Sequence, residues 1–131
     1  MKLLVTGSRN IDARIAFWEF ISCTTWTGRG VLNLVVNGHV VTNIITRDHT
    51  HGADAVPGML NSLIGYGGIP ITALSPNWER DGRDAEKIKT KEMCECADMA
   101  IVMQEEHEPS DLVIHEMGQL GKFFRKITTK G

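Results

Sequence analysis

The feature that most constrains this chain is a short, continuous apolar run that ends on glycine, with a helix-like stretch after it, at the start of the sequence. Lys2-Leu3-Leu4-Val5-Thr6 stops at Gly7-Ser8-Arg9-Asn10. A run this short, without alternation, reads as a buried strand followed by a loop. Asp12 is then placed to cap a helix. Ile15, Trp18 and Ile21 recur at three-residue spacing, with Phe17 beside them, as on one helix face.

The same alternation continues. Residues 23–30 have no period and read as a loop. Val31 to Val36 and His39 to Val41 flank Asn37-Gly38, the strongest short hairpin signal, and Asn43 to Thr46 prolongs the second arm. An antiparallel hairpin is therefore predicted over 31–46. Val56, Leu60, Leu63 and Ile64 share a helical face, with Pro57 acceptable in its first turn. Ile69 to Leu74 reads as a strand. Asp84 to Cys96 reads as a helix with Ala85, Ile88, Met93 and Ala97 inward, and Met99 to Met103 as the next strand. Ser110 is placed to cap a last helix carrying Val113, Met117 and Leu120, which ends at Gly121. Arg125 to Thr129 supplies a final strand. Strands alternating with helices predict a single α/β domain over 1–131: Rossmann-like, with a mainly parallel sheet, helices on both faces and an inserted β-hairpin.

Composition narrows the function classes. The net charge is -2, so no global basic footprint for nucleic acid is present. No apolar run reaches the roughly 20 residues that span a bilayer. Met1 to Thr6 is too short for a secretory signal. Three cysteines, Cys23, Cys94 and Cys96, make no disulfide framework, and a reducing, cytoplasmic location is expected. Cys94-x-Cys96 lacks a second pair at metal-ligand spacing, so neither a metal nor a cofactor is expected.

In open α/β sheets, ligands bind beyond the carboxyl ends of the strands. Gly7, Ser8 and Arg9 follow the first strand; glycine permits close backbone approach, and arginine offers a planar fork for phosphate or carboxylate. His51 and Gly52 stand in a second such loop. Asp54 reads as a first-turn carboxylate that complements the helix dipole. Trp78 to Arg83 combines an aromatic ring with two arginines, a set suited to a base and a phosphate, or else a solvated loop. Glu116 is the weak candidate for acid/base work, with a plain surface helix as the alternative.

Taken together, Val5-Thr6-Gly7-Ser8-Arg9, Gly52-Ala53-Asp54, and Trp78-x3-Gly82-Arg83-x-Ala85 with Ile88-Lys89-x3-Met93 and Ala97-Asp98 resemble the SLOG superfamily, in particular its small YspA-like branch. The resemblance runs over nearly the whole chain. It departs from the branch at His51, where the branch has arginine. It departs again at Lys89-Thr90, where the branch has Arg-Asn, and at Glu108-Pro109-Ser110, where the branch has a glycine-rich loop. The resemblance implies a Rossmann-like domain that senses or sequesters a nucleotide-derived, phosphorylated small molecule. Gly7, Ser8 and Arg9 would hold a phosphate, and His51 and Gly52 would line the opposite wall. Trp78 would stack on the base, and Lys89 and Ser110 would complete the anion site. The alternative it implies is an N-glycosidase or phosphoribohydrolase acting on nucleoside monophosphates. The catalytic Glu position of the related LOG-type enzymes falls on Val113, which leaves Glu116 or Asp54 for that role. Self-association into a homo-oligomer is also implied, with the hairpin edge as a contact.

Overall fold

The computed structural model describes residues 1–27, 33–47, 52–64, 69–74 and 78–129. Five parallel strands form the central sheet: β1 (Lys2–Gly7), β5 (Asn43–Arg47), β6 (Ile71–Leu74), β7 (Met99–Glu105) and β8 (Phe123–Thr129). Their spatial order is β6-β5-β1-β7-β8. The chain therefore builds outward from β1 through β5 to β6, then returns to the other side of β1 for β7 and β8. This is a Rossmann-like α/β fold.

The two faces of the sheet carry separate cores. On one, Leu3, Val5 and Ile44 pack with Ala16 and Phe20 of α1 (Ala13–Ser22) and with Val56 and Leu60 of α2 (Val56–Ile64). On the other, Leu4, Ile45, Ala100 and Val102 pack with Met93 and Cys94 of α4 (Ala85–Cys96) and with Val113 and Met117 of α5 (Leu112–Gln119). A short helix α3 (Trp78–Asp81) and a 3-10 turn (Gly82–Asp84) lead into α4, where the sequence reads as a loop.

A second, antiparallel sheet has the order β2-β3-β4, with β2 at Thr25–Thr27, β3 at Asn33–Val36 and β4 at His39–Val40. The expected turn is there: Asn37 and Gly38 both have positive φ, 50° and 79°, as a two-residue hairpin requires. Two expectations are corrected. Residues 25–27 are a strand, not a loop, and pair with β3. Residues 43–46 do not prolong the hairpin; they belong to β5, parallel to β1. Ile44 and Ile45 feed opposite cores, and burial on both faces is the condition of a central parallel strand. Residues 31 and 32 lie outside the described residues. Leu34 and Val36 join the α1–α2 core, so the small sheet is packed into the domain.

The face of α1 is also corrected. Ala16 and Phe20 are buried, with Phe17 and Ile21 packed at the margin, while Ile15 and Trp18 are 46% and 66% exposed. The stripe 16/17/20/21 follows the 3.6-residue period better than a strict three-residue spacing does. Asp12 does cap α1, accepting from the Arg14 amide.

Lys122 fastens the α4 terminus. Its ammonium donates to the carbonyls of Cys94 (2.9 Å), Glu95 (2.8 Å) and Ala97 (2.7 Å). A cation there satisfies orphan carbonyls and opposes the negative end of the helix dipole. Lys122→Met is expected to lose about 2 kcal/mol, read as a lower urea midpoint; Lys122→Arg should recover part of it. Among the described residues, no helix is long and apolar enough to cross a membrane.

Candidate functional site

The switch in strand order falls between β1 and β7, where the loops that follow the two strands diverge. Gly7 makes the strands meet closely. A Cβ there would stand 1.9 Å from the Met103 carbonyl oxygen. Ser8 continues the contact, its amide donating to Met103 O at 2.9 Å. Ser8 is 7% exposed, and its Oγ accepts from the Asn10 amide.

Gly52 presses on the same loop from the other side. It has φ 61°, and a Cβ would lie 2.2 Å from Ser8 O. The Ala53 amide donates to that oxygen at 2.9 Å. The freedom required of both glycines is thus used against protein backbone.

Beneath these loops lies a buried charge cluster that sequence reasoning missed. Arg47, at the carboxyl end of β5, is 9% exposed. Its Nη2 donates to Gly7 O. Its Nε is 3.4 Å from Asp54 Oδ2, and its Nη2 is 3.9 Å from Asp111 Oδ2. Asp54 also accepts from Thr6 Oγ at 2.8 Å. The cluster ties β1, β5, the Gly52–Ala55 turn and the start of α5 together. Asp54, read as a structural carboxylate, sits at its centre. The missed signal was Arg47 itself, at the boundary between an apolar run and a polar loop.

Asp111, not Ser110, caps α5. Its side chain accepts from the Val113 amide at 2.9 Å. Ser110 is exposed, one residue before the cap. Gln104 fixes this arrangement from β7: its amide nitrogen donates to Pro109 O at 2.6 Å, and its amide oxygen accepts from the Asp111 N–H at 3.3 Å. The segment Glu108-Pro109-Ser110 is therefore anchored through a buried side chain.

A cleft of about 400 Å³ opens beside the cluster, lined by Arg47, Arg83, Glu86, Lys87, Thr90, Asp111 and Leu112. Arg9 reaches its rim, with Nη2 3.4 Å from Glu86 Oε1. Arg9 thus faces Glu86, and Arg47 faces Asp54 and Asp111. Among the described residues, Arg83 and Lys87 make no ion pair. Arg47 also borders a second cavity of about 490 Å³ on the α2 face, between Pro57, Gly58 and Met59 and the β6 residues Ile71 and Ala73.

The other expected site residues lie as follows. Lys89 pairs with Glu92 at 2.8 Å and does not line the cleft. Lys87, two residues earlier and therefore on a different side of α4, is the lysine that does. Trp78 opens α3; its side chain and all of His51 lie outside the described residues. Glu116 is half-buried and absent from the cleft lining. Its charge acts on Cys94.

Burial pushes the Cys94 thiol up to about 12, with Glu116 and Asp111 adding to the effect. Cys96, on the same helix, is exposed. Burial also raises the Cys23 thiol, with Arg125 opposing. Thiolate is the reactive form. Brief iodoacetamide treatment of the native protein near neutral pH is therefore expected to alkylate Cys96 well ahead of Cys94, as peptide mass mapping would show. No family model, no curated protein and no solved structure matches this chain.

Proposed function

We propose that the chain binds a nucleotide or another nucleotide-derived, phosphorylated small molecule in the cleft between α4 and α5, and so senses or sequesters it. The observation that carries this reading is the charge pattern of the cleft. At the carboxyl ends of β1, β5 and β7, where open α/β sheets take their ligands, Arg83 and Lys87 point no ion pair at a protein partner among the described residues. Arginine and lysine together suit a phosphate group, one through a planar fork and the other as a point charge. Arg9, on its exposed salt bridge to Glu86, can exchange that partner for a ligand anion at small cost.

The test is a thermal-shift screen against nucleotides, ADP-ribose relatives and cyclic dinucleotides, with each mixture then separated by chromatography. A ligand present at a hundred times its Kd stabilises the fold by about 2.7 kcal/mol. The expected result is a ligand that raises Tm, returns intact, and loses its effect in Arg83→Ala/Lys87→Ala. A ligand that returns as free base and ribose phosphate would replace this reading with the N-glycosidase one. Glu116→Gln would then be the first variant to assay.

A further inference from the structure

The start of α5 has two parts of an anion seat: backbone amides with no intrahelical partner, and the nine-tenths-buried guanidinium of Arg47, whose Nη2 is 3.9 Å from Asp111 Oδ2. The seat is already filled from within the chain. The Asp111 carboxylate accepts from the Val113 amide at 2.9 Å and faces Arg47 through Oδ2. Its side chain is only 14% exposed, and it lines the cleft together with Arg83 and Lys87. Its own backbone amide is committed to Gln104.

We propose that Asp111 is the specificity-determining residue of the cleft: its carboxylate occupies the anion seat at the head of α5, so that the cleft accepts a ligand bearing one phosphate and rejects a second phosphate beside it. The inference rests on the binding reading above and adds to it the class of ligand.

The charges support this count. Arg47 is opposed by Asp54 and Asp111, and Arg9 by Glu86. Among the cations that line the cleft, that leaves Arg83 and Lys87 without an ion pair to a described residue. Four cations, Arg9, Arg47, Arg83 and Lys87, against three carboxylates, Asp54, Glu86 and Asp111, leave one positive charge in excess, enough to offset part of one phosphate dianion and nothing of a second phosphate. A second phosphate would meet the fixed carboxylate of Asp111 in a cleft of about 400 Å³. A built-in like charge is a repulsive element of the kind that sets specificity.

The inference can be tested without losing the helix cap, because asparagine and serine are N-cap residues as good as aspartate. Inorganic phosphate and pyrophosphate would be titrated calorimetrically into the wild type, Asp111→Asn, Asp111→Ser and Arg83→Ala/Lys87→Ala. In the wild type, pyrophosphate is expected to bind no more tightly than phosphate. In both Asp111 variants, pyrophosphate affinity should rise at least tenfold while phosphate affinity stays within about threefold. An unchanged ratio in both variants, with phosphate binding still lost in Arg83→Ala/Lys87→Ala, would overturn the role of Asp111 and leave the binding reading standing. Phosphate binding that survives in Arg83→Ala/Lys87→Ala would overturn the binding reading itself. Circular dichroism of each variant identifies any that does not fold; because Asn and Ser change the charge in different frames, either one that folds decides the outcome.

Discussion

Gly7→Ala is expected to destabilise the protein by more than about 4 kcal/mol, the range reached only when a mutation breaks a specific structural device. The added Cβ would stand 1.9 Å from Met103 O and 2.7 Å from Met103 N and C. All three are backbone atoms of the neighbouring strand, so no side-chain rotation relieves the contact. Gly7 also has φ 151°, a backbone conformation that favours glycine. Relief needs β1 and β7 to part at their carboxyl ends, where Gly7 pairs with Met103 and Ser8 donates to Met103 O. The cleft would open with them. Urea denaturation of the variant checks this; a loss below about 1.5 kcal/mol would show that the strands have slack which the packing of Gly7 does not suggest.

Arg47→Met is expected to cost about 3–5 kcal/mol, the usual penalty for removing one partner of a buried ionic cluster. Methionine has a similar length, so the loss is mainly electrostatic. It removes the guanidinium that faces Asp54, whose side chain is fully buried, and Asp111. It also removes the donor to Gly7 O. At a urea m-value of about 2 kcal/mol/M, the midpoint should fall by about 2 M. Arg47→Met/Asp54→Asn should regain part of this, because one of the two carboxylates is then neutral. A single variant that loses less than about 1 kcal/mol, or a double variant no better than the single, would mean that Arg47 does not hold the cluster together.

These two residues also show what sequence could and could not reveal. The place of Gly7 was legible because its context is local, an apolar run, a glycine, then a polar loop; that the missing Cβ makes room for the Met103 backbone of β7 was not, because that strand is distant in sequence. Asn37-Gly38 was legible because its turn geometry is set by its own two residues. Arg47 was not, because its meaning depends on Asp54 and Asp111, which reach it from two other elements. β5 was misread because only Val41 and Thr42 separate it from β4, and closeness in sequence imitated a hairpin arm. The adjacent isoleucines at 44 and 45 carried the correct signal, an apolar run without alternation. At the helix starts, Asp12 was identified and Asp111 missed in favour of Ser110. Both Ser110 and Asp111 are N-cap types, and the choice was made by Gln104, which holds the segment from inside the sheet.

The central claim is that the cleft between α4 and α5 is the ligand site, and backbone amide NMR during a titration with inorganic phosphate tests it most directly. The account expects the largest shift changes at residues 83–90 and 111–113, with smaller ones at Arg9 and Arg47. Saturable shifts confined to another part of the molecule, such as α1 or the β8 edge, would contradict it.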